Sequence, residues 1–412
     1  TLPSFTTATE WMPHIVWHDG GAASSTTFTS NINFGNHSFL GTVPTGFKKL
    51  CSANFPEPTI AFPNTHFGTL TWTGNATVRT ISDTSKVNFT PDMVWVKCRS
   101  ATHDHQLTDS VRGTSKALPV NTSGQEVDWD TEYSGANQGM GDYTNGGFGL
   151  DDNGNNARYN ANSETYVAWN WKGGGSASSN SDGTITSSVS ANTTAKFSIA
   201  TYSGNSTAGA TVGHGLGVKP DFIIIKTRNA SDNWMVYHTK MASSSPEDYK
   251  MELNDGGGSV DSSNMLNDTA PTSSVVTLSA DGSVNNSSRT YVMYCFSEIA
   301  GYSKFGSYTG NGNADGPFIY TGFRPAYVMI KNTTTGHQWV IYDSVRQPSN
   351  VCGLPLYANN NYVEDTNTSV TPFDIVSNGF KPRSTWNELN QNGSSIVYMA
   401  FAESPFKYSR AR

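Results

Sequence analysis

Val218-Lys-Pro-Asp-Phe-Ile-Ile-Ile-Lys226 decides the reading of this chain, because the same pattern occurs three times. Its counterparts are Phe89-Thr-Pro-Asp-Met-Val-Trp-Val-Lys97 and Phe323-Arg-Pro-Ala-Tyr-Val-Met-Ile-Lys331. Proline fixes φ and needs no ladder partner for an N–H, so a strand can begin directly after it. The apolar residues that follow do not alternate with polar ones, which predicts a strand covered on both faces. Upstream of each copy stands a turn signature, Thr73-Gly74-Asn75, Ser203-Gly204-Asn205 and Thr309-Gly310-Asn311. From its asparagine to the closing lysine the spacing is 22, 21 and 20 residues. Downstream comes an aromatic strand, Thr165-Tyr-Val-Ala-Trp-Asn-Trp171, Thr290-Tyr-Val-Met-Tyr-Cys-Phe296 and Ile396-Val-Tyr-Met-Ala-Phe401. Three signals in one order, three times over, define an internal repeat.

The repeat sets the expected organisation. Residues 1–64 form a short N-terminal β segment, followed by modules at 65–172, 194–300 and 301–412. Residues 173–193, opening with Gly173-Gly-Gly-Ser, have the composition of a flexible linker. Modules one and three share Leu107-Thr-Asp-Ser-Val-Arg112 and Ile341-Tyr-Asp-Ser-Val-Arg346, whereas module two has Val236-Tyr-His-Thr-Lys240 there. That difference predicts function in the outer copies, with the middle one as a spacer. The expected fold class is all-β, as tandem β-sandwich-like modules.

Composition agrees. Only 14% of the 412 residues are charged while 12% are aromatic, and 39 glycines punctuate the chain; this favours strands and turns over helices. A net charge of −7 supplies no basic stripe, so no nucleic-acid partner is expected. No run approaches the roughly 18 apolar residues of a membrane span, and Thr1–Trp11 lacks the parts of a signal peptide, which predicts a soluble protein without membrane insertion. Cys51, Cys98, Cys295 and Cys352 are widely spaced and read as free core thiols.

Chemistry-bearing residues are few. Glu126-Val-Asp128-Trp-Asp130-Thr-Glu132 places four carboxylates on one face of an extended chain, with Trp129 on the other. Paired carboxylates can cleave glycosides, but four like environments do not separate two pKa values, so a solvated loop is the simpler reading. The Asp109–Arg112 and Asp343–Arg346 segments read as turns with a local ion pair, or else as carbohydrate or anion contacts. Trp129 and Trp386 are the candidates for stacking on a sugar ring, whereas Trp234 and Trp339 occupy equivalent places and read as core. His103-Asp-His105 is a possible metal pair, and His14 and His18 a weaker one, because Pro13 argues against the helix their spacing would need. No nucleophile elbow or triad order is present, so no catalytic residue and no cofactor is assigned.

The stretch NINFGNHSFLGTVPTGFKKLCSANFPEPTI (residues 31–60), the pattern FTPDMVWVK…LTDSVRG…GGFGLDDNG…YVAWNWKGGG in 89–175 and the ending MAFAESPFKYSRAR resemble tail-fibre and virion-surface proteins of marine podoviruses, cyanophages in particular. The first stretch is similar to the closing strands of their concanavalin-like, SPRY-type domains. Its early strands are absent, so the chain is expected to begin inside a longer protein. The resemblance implies a virion location, contact with other virion proteins, attachment to a host cell-surface glycan or receptor, and a homotrimer. It implies no catalytic residue. An H-x-H pair on a threefold axis holding iron, known from phage fibres, is what it implies for His103 and His105.

Overall fold

The computed structural model describes residues 54–131, 139–151, 156–334, 336–365 and 371–409. His14, His18, Cys51 and Glu132 lie outside them. Phe55–Arg412 form one compact unit.

Each module is built on one antiparallel sheet with the same strand order. Its opening strand pairs with the closing strand, which pairs with the proline-led strand, which pairs with a return strand. In module one these are Phe67–Thr73, Thr165–Trp171, Met93–Cys98 and Gln106–Asp109; in module two Phe197–Ser203, Thr290–Phe296, Phe222–Thr227 and Met235–His238; in module three Ser303–Thr309, Ser395–Pro405, Phe323–Asn332 and Val340–Asp343. In module three the strand runs through Pro325, where the register shifts, as a residue without an N–H requires. A smaller sheet faces each main one: Arg79–Ser82, Gly147–Leu150 and Met140–Thr144 in module one, Ala210–Gly213 with Val275–Leu278 in module two, and Ile319–Tyr320, Gly379–Pro382 and Phe373–Val376 in module three. The fold is all-β and sandwich-like, as the repeat predicts.

The turn signature has a structural cause. A Cβ on Gly74, Gly204 or Gly310 would lie 2.0, 2.3 and 2.2 Å from the carbonyl oxygens of Ala161, Asn286 and Gln391, so only glycine fits. The next residue's N–H donates to a buried side-chain amide: Asn75 to Asn160, Asn205 to Asn285, Asn311 to Asn390. Each acceptor is fully buried and stands five residues before the first residue of the closing strand. Sequence reading missed this Asn-x4-Thr/Ser signal although it repeats as faithfully as the others.

Both faces of the central strands are buried, for two different reasons. In module one, Leu70, Val94, Val96, Tyr166 and Ala168 pack against Ile81, Phe148 and Leu150 of the small sheet. The alternate residues Met93, Trp95, Val167, Trp169 and Trp171 face away from it, into a core shared with the other two modules. At the centre of that core lie the last aromatic residues of the three repeat signals. Trp171, Phe296 and Phe401 touch one another, with ring centroids 6.5, 6.0 and 5.8 Å apart. Equivalent residues in mutual contact mark a pseudo-threefold axis, with edge-to-face geometry that adds about 0.5–1.5 kcal/mol per pair beyond area burial.

Two expectations are corrected here. Residues 173–193 are not a flexible spacer, because Ser178–Asn180 and Ser187–Asn192 extend the main sheet of module two. Serine-rich composition resembles a linker, yet a ladder is made by backbone groups, and Ser187 and Ser190 are buried within it. Nor does module two hold the outer copies apart. Phe67 of module one stacks on Phe401 of module three at 5.0 Å, so the outer copies meet directly.

Candidate functional site

The residues marked out by the sequence lie largely on the contacts between modules, and each set of equivalent residues reaches the same neighbour around the ring. The lysine one residue before the end of each proline-led strand reaches backbone carbonyls of the neighbouring module. Lys97 donates to Tyr362 at 2.9 Å, Lys226 to Ser123 at 2.9 Å, and Lys331 to Gly256 at 2.8 Å. All three side chains are buried, and burial pushes their pKa values down, Lys97 to about 7 and Lys226 and Lys331 to about 8.

The residue before each return strand repeats the direction. Trp234 donates from Nε1 to Pro119 and Trp339 to Glu252, both at 2.9 Å. The equivalent in module one is His105. Its Nδ1 accepts from Trp95 Nε1, so the proton sits on Nε2 and is donated to the Asn360 carbonyl at 2.9 Å. Both ring nitrogens are therefore used inside the protein, and His105 is not free to ligate a metal. The H-x-H pair is corrected on that ground: His103 points elsewhere, to Glu164, 3.1 Å away.

The two Asp-Ser-Val-Arg segments are internal clamps. Asp109 accepts from Arg112 Nε at 2.5 Å and from the Tyr294 hydroxyl of module two at 2.7 Å, and Arg112 also donates to Glu126 at 2.8 Å. Asp343 accepts from Arg346 Nε at 2.5 Å and from Trp169 Nε1 of module one at 3.2 Å, while Arg346 donates to Glu364. His238 replaces the aspartate in module two and bonds the Tyr398 carbonyl of module three at 3.1 Å. Asp109, Arg112 and Asp343 are buried and the Arg346 side chain is 1% exposed, so the structure corrects their assignment to a glycan: no ligand in solvent reaches them.

Glu126 is held at both oxygens. Besides Arg112 it takes a bidentate pair from Arg228 of module two, at 3.0 and 2.8 Å, and these guanidinium groups hold its pKa below the usual value although burial opposes them. Glu364 takes the matching pair from Arg99. Asp128 accepts from Ser115. The acidic run is thus partly a module contact. Trp129 is 3% exposed, packed in the core of module one, and offers no stacking face to a sugar. Trp386 is half-buried, packed on the core of module three and edge-on to Tyr357 at 6.3 Å. Cys98, Cys295 and Cys352 are buried free thiols, as expected.

Acid should loosen these contacts. Burial pushes His238 down to about 4 and His105 well below its ordinary value. An unfolded imidazole titrates near 6.5, so between pH 6.5 and about 4 the unfolded chain binds more protons and stability falls as pH falls. Urea unfolding is expected to lose on the order of 2 kcal/mol between pH 7 and pH 5 from His238 alone. The depressed lysines have the same sign, adding stability as pH rises from 7 toward 9. His238→Gln should flatten the acid limb; an unchanged limb would disprove the assignment.

A further cleft lies elsewhere and was not marked by any motif. It encloses ≈ 700 Å³ between the start of module one and the end of module three. Phe62 and Tyr408, 72% and 47% exposed, line it together with Asn64, Lys86, Ser344 and Glu403. The Tyr408 hydroxyl donates to Glu57, and Phe55 stacks on Phe406 at 5.5 Å, which fixes the chain on one side of the opening.

A protein whose single chain closes three β-sandwich-like repeats around a pseudo-threefold axis defines the class. A family model described as Domain of unknown function (DUF7483) matches residues 62–405, and the chain belongs to that family. The matched span takes in all three modules, from the rim of the cleft to the last strand. No curated protein and no solved structure matches the chain.

Proposed function

We propose that the chain is a virion surface or tail-fibre protein that attaches to a host cell-surface glycan, and that the glycan lies in the cleft lined by Phe62 and Tyr408. The observation that carries this reading is the pairing of two exposed aromatic rings with amide, ammonium, hydroxyl and carboxylate groups in one concavity of ligand size. Aromatic faces cover the apolar faces of sugar rings, and the polar groups fix orientation. The resemblance of the repeats to virion-surface proteins supports the location. A homotrimer, with contacts to other virion proteins, is part of the same proposal; light scattering on the intact chain distinguishes three chains from one.

A glycan array probed with the intact chain, with host-adsorption competition beside it, tests the proposal. Binding is expected, with Phe62→Ala and Tyr408→Ala each weakening it about tenfold or more, the worth of roughly 1.4 kcal/mol. Absence of any bound glycan, or retention by both variants, would leave a passive structural role.

A further inference from the structure

We propose that Cys98, His103 and Glu164 form a zinc site at the end of module one. Their donor atoms all lie within 4.8 Å of one another, with Cys98 Sγ 3.4 Å and His103 Nε2 3.1 Å from Glu164 Oε2. A tetrahedral zinc with bonds of about 2.0 Å to N and O and about 2.3 Å to S separates its ligands by roughly 3.3–3.8 Å, so the three donors need little movement.

The chain prepares the site from the backbone outward. Cys98 ends the proline-led strand and is paired in register with Tyr166. Glu164 stands directly before the closing strand, and the Arg99 N–H bonds the Thr165 carbonyl at 2.7 Å, which locks the two strand ends together. The loop that carries His103 is pinned on both sides, by Arg99 on Glu364 and by His105 on Asn360. The Tyr166 hydroxyl lies 3.1 Å from Glu164 Oε2 and orients the carboxylate, the kind of supporting contact that metal ligands need. Cys98 is buried, while the His103 and Glu164 side chains are 28% and 26% exposed, so an ion enters from their side and keeps a water in the fourth position.

The other modules show what the place is otherwise used for. At the equivalent positions module two has Thr227, Asp232 and Arg289, with Asp232 and Arg289 in an ion pair at 2.6 Å, and module three has Asn332, His337 and Ser394. Thiol, imidazole and carboxylate coincide in module one alone. Zinc binding makes three bonds to the metal and releases the Cys98 proton to solvent; no electrons move.

The test is titration of the intact, reduced, metal-free chain with Co²⁺, followed by displacement with Zn²⁺. One equivalent is expected to bind, with a thiolate-to-cobalt charge-transfer band and tetrahedral d–d bands, both bleached by zinc. Cys98→Ser should remove the charge-transfer band and Cys352→Ser should keep it. His103→Ala, on a surface loop, should fold and bind more weakly by over the roughly 100-fold that loss of a supporting partner costs. No thiolate band in folded protein, a band that survives Cys98→Ser, or unchanged affinity in His103→Ala would reduce the cluster to an ion pair like that of module two.

Discussion

Alanine at Trp171 is expected to lower the unfolding free energy by about 3–5 kcal/mol, near the top of the range for a single core residue. Trp171 is 1% exposed and touches aromatic rings of all three modules: Phe67 at 5.1 Å, Phe296 at 6.5 Å, Tyr327 at 5.9 Å and Phe401 at 5.8 Å. Truncation therefore opens a cavity on the axis that no single module can collapse into. The urea transition should shift and also broaden, because the residue couples modules to one another. Trp171→Phe should cost far less. Phenylalanine already fills the same place in modules two and three, and the Trp171 indole N–H finds no acceptor among the described residues, so its removal relieves a buried donor. A loss below about 1 kcal/mol for the alanine variant would show that the modules are stable independently.

The second large effect is expected at Asp109. Four donors converge on its carboxylate: the N–H groups of Val111 and Arg112, Arg112 Nε and the Tyr294 hydroxyl. Asp109→Ala leaves the guanidinium of Arg112 buried with Glu126 as its remaining carboxylate, and removing one partner of a buried pair costs about 3–5 kcal/mol. Replacing both charges, as in Asp109→Leu with Arg112→Met, should recover part of that loss, because the second charge no longer has to be kept from water. Urea unfolding of the single and double variants measures this. If the double variant is no more stable than the single one, the clamp acts through its packing and not through its charges. The same experiment at Asp343 should give a similar loss, with Trp169 in the place of Tyr294.

Much of the local design is readable in the residues. The proline-led strands, the turn signatures and the closing strands repeat because each module solves the same backbone problem. The small glycine is required wherever the turn meets the loop that leads into the closing strand, so it survives divergence. Buried Asn160, Asn285 and Asn390 belong to the same set and could have been found by their constant distance from the closing strand.

The contacts that unite the modules are a different matter. At the axis the equivalent residues are Trp171, Phe296 and Phe401; at the clamps, Asp109, His238 and Asp343; at the module edges, His105, Trp234 and Trp339. Each set has drifted in chemistry, and its acceptors are mostly backbone carbonyls such as those of Tyr362, Ser123 and Gly256, which leave no mark on side-chain sequence. The Asp-Ser-Val-Arg segments do form turns with a local ion pair, as their residues suggest, but buried ones, and the acidic run, expected as a solvated loop, gives up Glu126 to a module contact. Here Arg228, far along the chain, neutralises Glu126, and Arg99 does the same for Glu364, the second partner of Arg346.

Sequence by itself determined that there are three copies, that each is a β-sandwich-like module around a strand covered on both faces, and which residues turn its corners, since these follow from φ preferences and hydrophobic period. Only the tertiary structure decided that the copies close on one another, because the apolar face left over by each main sheet can be buried against either a further sheet or a sister module. The even burial along Met93–Cys98, Phe222–Thr227 and Phe323–Asn332 is satisfied by both arrangements, and it is the meeting of Trp171, Phe296 and Phe401 that selects the ring.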